Sequence, residues 1–367
     1  MGCSNSKAIE SAMTRMMEYE HMAKTEDQEL KLKPCLLDLE EWRDGLVSAR
    51  TAYNMLHAGY CSAYIQNPTY MLVVDFRCLD DWLTERVVTS LHFERLTNLT
   101  DKSLVRFNSI LLYDRDGSSV GNIKSPLRKS YLSMKSKGLE PKVVLGGFRA
   151  LSVSPFNSLL ERPRTIPYAT TVQPTVHNSL ESLDHSERSE SEQPELEEVQ
   201  PEVGSIEPIR RAVTWMPSMI IEKQLYLGRA DQAGDSKVIH RLGITHILST
   251  SRVRTGKFRG LVYILVNKES FSASTLKLTT NFILEALAGG GRVLVHGWDG
   301  FDQSAAVVVA ALMKKYSVSL DEALWYVHNS RPGVEINSAW LILLSRLEEE
   351  MFGKQLTDLE SLWCREA

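Results

Sequence analysis

Two α/β modules separated by an acidic tether form the architecture this sequence predicts, and three observations carry it. Short apolar and β-branched runs alternate with helical stretches in two blocks, 35–156 and 212–352, as they do in parallel sheets covered by helices. Between the blocks, residues 171–208 hold ten Asp or Glu against one Arg and no aromatic residue, a composition that buries too little surface to order itself. The stretch His296-Gly297-Trp298-Asp299-Gly300-Phe301-Asp302-Gln303-Ser304 lies between a strand pattern and a buried-helix pattern, so it forms a loop delivered to a helix N-terminus.

At the start of the chain, Met1-Gly2-Cys3-Ser4-Asn5-Ser6-Lys7 fits myristoylation of Gly2 once Met1 is removed, with Cys3 available for palmitoylation. Two acyl chains are what stable anchoring needs. Residues 1–34 are therefore read as a lipidation signal with a short helix over 8–24, which places the chain in the cytoplasm, anchored to the cytosolic face of a membrane. No apolar run approaches the ~18 residues of a membrane span. The net charge of −4 gives no basic excess for nucleic acid. The five cysteines show neither CxxC pairing nor histidine spacing, so a reduced intracellular setting without metal or cofactor is expected.

In the first block, Tyr53-Asn54-Met55-Leu56 falls on a helix. Residues 71–77 form a strand ending in Asp75-Phe76-Arg77, 110–114 form a second and 142–148 a third. Residues 157–211 are the linker, where Ser186, Ser189 and Ser191 stand among acids. In the second block, 262–266 and 291–295 are strands. Residues 304–315 are a buried helix ending in Lys314 and Lys315, where cations suit the helix dipole. Residues 353–367 are a tail.

A strand, a tight loop and a helix N-terminus make an anion cradle. Cleaving a phosphate ester there takes a low-pKa thiolate, an arginine that grips the equatorial oxygens, and an acid that protonates the leaving oxygen. The order of Leu225-Tyr226-Leu227-Gly228, Leu242-Gly243-Ile244-Thr245-His246-Ile247-Leu248, the loop, Ser319-Leu320-Asp321-Glu322-Ala323-Leu324 and Arg331-Pro332 resembles a dual-specificity phosphatase domain.

That resemblance implies an HCxxGxxRS signature, of which His296, Gly300 and Ser304 are kept. Gly297 replaces the cysteine and Gln303 the arginine. The general-acid aspartate falls at Lys268, whose ammonium is a poor acid with an unperturbed pKa of about 10.4. Asp299 and Asp302 add two carboxylates where a phosphate dianion needs positive potential. Each costs about 3 kcal/mol or more at ~5 Å and an effective dielectric near 20. Ser304 is read as supporting the loop, because a seryl oxygen without an adjacent base is a weak nucleophile.

The first block resembles a rhodanese-like domain, from Asp-x-Arg after a core strand and Gly146-Gly147-Phe148 after a late one. Rhodaneses carry a catalytic cysteine in the loop that here reads Arg115-Asp116-Gly117-Ser118-Ser119-Val120-Gly121. Asp75 and Arg77 are read as supporting the fold. The two-module order resembles the MAP kinase phosphatases, and within them the pseudophosphatases of the serine/threonine/tyrosine-interacting type. The kinase-docking cluster that this implies would use Arg86, Arg95, Lys102 and Arg106, interrupted by Glu85, Glu94 and Asp101.

The expectation is a non-enzymatic, catalytically inactive adaptor. It binds signalling proteins, whether kinases or phosphoproteins, through a loop that does not hold phosphate tightly. Residual phosphatase activity and binding by the first module alone are the alternatives.

Overall fold

Strand β1 (Leu46–Val47) and helix α1 (Ala49–His57) open the first module of the computed structural model, which describes residues 45–59, 64–67, 69–162, 214–251, 258–266 and 272–359. Ser48 caps α1 by accepting from the Thr51 amide at 3.1 Å. There follow β2 (Met71–Asp75), α2 (Leu79–Thr84), β3 (Arg86–Val87), β4 (Leu91–His92), α3 (Asp101–Leu104) and β5 (Ser109–Tyr113). The module closes with α4 (Pro126–Ser136), β6 (Pro141–Val144), α5 (Gly147–Leu151) and β7 (Leu160–Glu161).

The main sheet has the order β1-β6-β5-β2-β4 and every pairing in it is parallel. All of β2 is buried, which explains why it reads as an unbroken apolar run. The strands stop earlier than the sequence suggests because the polar residues after them turn inward. Arg77 folds back on Asp75 at 2.6 Å, Asp114 accepts loop amides, and Gly146 takes φ +72. The module also runs past the expected boundary at 156, since β7 pairs antiparallel with β3.

In the second module, β8 (Ser218–Ile221) and β9 (Leu225–Gly228) are antiparallel. After α6 (Ala230–Gly234) and α7 (Ser236–Leu242) come β10 (His246–Ser249), β11 (Val262–Leu265), α8 (Ala273–Ala288) and β12 (Val293–His296). Helices α9 (Gln303–Tyr316), α10 (Leu320–Ser330) and α11 (Ser338–Phe352) complete it. The sheet order is β11-β10-β12-β9-β8, with parallel pairing on both sides of β12.

Helix α9 is buried from Gln303 to Met313 because α8, α10 and α11 surround it. An all-round apolar helix is stable only in such a position. Beyond 352 the chain still packs. The buried Glu348 carboxylate accepts from the Leu320, Leu356 and Thr357 amides at 2.7, 2.9 and 2.9 Å, and from Thr357 Oγ1 at 2.8 Å. No helix of the described residues is long and apolar enough to cross a membrane.

Candidate active-site loop

The signature loop leaves the central strand at His296, at the carboxyl ends of β9, β10 and β12, and enters α9 at Gln303. Open α/β sheets place their ligand crevices at this edge. The His296 ring is fully buried, and its Nδ1–H donates to the Gly297 carbonyl at 3.2 Å. Burial pushes its pKa down, so the ring is neutral and Nε2 is an acceptor with no partner among the described residues.

A side chain at Gly297 would fit only if its hydroxyl neighbours gave way by a few tenths of an ångström. A Cβ built there would lie 3.0 Å from Ser304 Oγ, 3.3 Å from Thr250 Oγ1 and 3.6 Å from the Gly300 amide. Ser304 is buried and its Oγ has no partner among the described residues, so it faces Gly297 without the hydrogen bond to the loop that the sequence suggests. Gln303 stands where a clamping arginine would, with its Nε2 buried and without a partner among the described residues.

Gly300 adopts φ +82, and a Cβ there would meet the Gly228 carbonyl oxygen at 2.5 Å, so glycine is required twice over. Asp299 Oδ1 accepts from the Phe301 amide at 3.1 Å, which occupies one loop N–H with the chain's own carboxylate. The two carboxylates expected to crowd the cradle are not equivalent. Both Asp302 oxygens are held by Asn337, from its amide and its Nδ2, each at 3.1 Å, which ties Asp302 to the N-cap of α11. Asp302 therefore serves as a bracket to α11, which corrects the expectation that both carboxylates face an incoming anion.

Arg331 is the functional residue that sequence reasoning left as a bare motif. Its guanidinium donates to the Asp299 carbonyl at 2.7 Å, the Gly300 carbonyl at 3.1 Å and Ser218 Oγ at 3.1 Å, and its carbon lies 4.6 Å from the Phe301 ring centre. Burial lowers its pKa to about 10, so it stays charged at neutral pH. Its cation is spent on the loop's carbonyls from behind. The pair Arg331-Pro332 is visible in the sequence, but its target lies 31 residues upstream at Gly300 and only the fold brings them together.

The comparable loop of the first module is also closed from within. The Asp114 carboxylate, on a buried residue, accepts from the Gly117 and Ser119 amides at 2.6 and 2.8 Å. Asp75 and Arg77 form a buried pair, with the guanidinium 3.6 Å from the Phe148 ring centre. Of the expected docking cations, Arg86 pairs with Glu161 at 2.8 Å while Arg86 and Arg95 lie over Trp82, which ties these two to local structure. Lys268, Gly2, Cys3 and the expected linker beyond residue 162 lie outside the described residues.

The sequence matches the family described as "Dual specificity phosphatase, catalytic domain" over residues 225–350. It is 36% identical over 141 residues to Dual specificity protein phosphatase 1 of Arabidopsis thaliana, an alignment covering 37% of this chain and 71% of that one. This chain belongs to the dual-specificity phosphatase family. Protein-tyrosine-phosphatase IBR5 of the same plant is 29% identical over 153 residues, covering 41% of this chain and 59% of its own length. Solved structures that match include human DUSP28, at 28% identity and TM-score 0.35 over 37% of this chain and 94% of that one. The human tyrosine phosphatase-like serine/threonine/tyrosine-interacting protein matches at 26% identity and TM-score 0.35, over 37% of this chain and 97% of that one.

Family membership corrects one expectation. The residues at 297, 303 and 268 carry the expectation that the chain is not an enzyme. The matched family is that of a catalytic domain, and the relatives are named as phosphatases, so the family points to an enzyme.

Proposed function

We propose that this dual-specificity phosphatase family member works in phosphorylation signalling by binding signalling proteins, kinases or phosphoproteins, with a signature loop that grips phosphate weakly. The observation that carries this is the state of the loop. Asp299 holds the Phe301 amide, Arg331 is committed to loop carbonyls, and Gln303 offers a neutral amide where a bidentate cation would bind. The likeness of the first module to a rhodanese-like domain supports a second protein-binding surface. The Gly2 and Cys3 pattern supports attachment to the cytosolic face of a membrane.

A second reading, turnover of phosphoprotein by the chain itself, is favoured by its family. One experiment separates the two. Purified full chain is assayed for phosphate release from an aryl phosphate, and in parallel for binding to matched peptides with and without phosphotyrosine. The proposal expects equal affinity for the two peptides. Sustained release with a preference for the phosphorylated peptide carries the second reading instead.

A further inference from the structure

Strand β8 is the edge of the second module's sheet, and its outer side pairs with no strand among the described residues. Such an edge leaves backbone groups open to other chains unless something covers it. Here helix α1 of the first module covers it. Asn54 acts as a strand substitute, its Nδ2 donating to the Met219 carbonyl at 2.9 Å and its Oδ1 accepting from the Met219 amide at 2.7 Å. Tyr53 Oη donates to the Pro217 carbonyl at 3.1 Å, and Arg50 Nη1 donates to the Ile220 carbonyl at 2.5 Å and to Tyr326 Oη. Asn54 and Tyr53 are both buried in this contact.

The contact continues toward the signature loop. The Trp215 indole N–H donates to the His57 carbonyl at the end of α1, and the Met216 amide donates to His57 Nδ1 at 3.3 Å. The Trp215 carbonyl accepts from Gln232 Nε2 at 3.2 Å, and Gln232 Oε1 accepts from the Arg229 amide at 3.0 Å. Next in the chain, the Ala230 amide donates to the Trp298 carbonyl in the loop at 3.3 Å. The Arg229 guanidinium lies 5.1 Å from the Trp215 ring centre and braces the same strap. Part-buried polar groups joined in sequence this way move together at least cost, because a shift of one weakens the hydrogen bond to the next.

We infer that the first module is a positioning element for the signature loop: α1 docks as a ligand on the β8 edge, and the strap at residues 215–217 transmits that contact through Gln232 to Trp298. The inference concerns geometry and holds whichever reading of the loop's chemistry is correct.

Amide hydrogen exchange by mass spectrometry on the full chain tests it, comparing wild type with Asn54→Ala and with the milder Tyr53→Phe. In both variants, exchange over 216–221 and over 298–302 is expected to rise together while β10 and α11 keep their wild-type rates. For Asn54→Ala the rise is roughly tenfold, the factor given by losing about 1.4 kcal/mol of local stability. A loop that keeps its wild-type exchange while 216–221 opens overturns the inference. So does an equal rise in β10 and α11 in Tyr53→Phe, because the effect would then be general loosening.

Discussion

Asp299 takes a loop amide that an oxyanion would otherwise take, and Arg331 holds the other side of the same turn through two carbonyls. The loop's shape therefore depends on single residues with no slack. Gly300→Ala forces a left-handed residue to carry a Cβ into the Gly228 carbonyl. It should destabilise the protein by about 2 kcal/mol or more, from αL strain plus the clash. A chemical-denaturation midpoint unchanged from wild type would refute that. Glu348→Ala is the larger change, because it strips the acceptor from three backbone amides and one hydroxyl. A loss of about 3 kcal/mol or more is expected, read by the same denaturation. A loss below ~1 kcal/mol would mean that water replaces the carboxylate.

Helix termini set the geometry at the next scale. Asn337 caps α11 by accepting from the Ala339 and Trp340 amides, and it also holds both oxygens of Asp302. Asn337→Ala should cost about 1–2 kcal/mol as a lost cap. It should also leave Asp302 with only the residue-337 backbone amide as a partner, which a shift of the Asp302 carboxyl carbon resonance would register. Strands and helices at this scale were legible in the sequence because burial on both faces leaves an unbroken apolar run, as in β2 and β12, and because an all-apolar helix such as α9 has one possible environment. What was not legible depends on partners distant in sequence. Arg331 meets Gly300, Asn337 meets Asp302, and Asn54 meets Met219 across 165 positions. The strand ends were misplaced for the same reason, since Asp75, Asp114 and Gly146 turn the chain through contacts that periodicity does not encode.

Across the whole molecule, each module ends its central strands in a loop whose amides donate to the chain's own aspartate, Asp114 in the first and Asp299 in the second. The modules meet at His57, which burial and the nearby Arg241 cation depress from 6.5 to a pKa of about 3. The unfolded chain binds this proton below 6.5 and the folded chain does not until about 3. Stability is thus complete above pH 6.5 and falls as pH drops through that window, by up to about 1.4 kcal/mol per unit. Urea midpoints at pH 7.5 and 5.0 should differ in that direction for wild type, and less for His57→Gln. Equal differences in the two proteins would remove His57 as the cause. The central claim, that the signature loop has turned its anion-binding groups inward, meets its most direct test in titration calorimetry of sulfate into wild-type and Asp299→Asn chains at fixed ionic strength. The account predicts that wild type binds more weakly than millimolar, and that removing the carboxylate charge tightens binding by roughly tenfold or more. Millimolar or tighter binding by wild type, unchanged in Asp299→Asn, would contradict it.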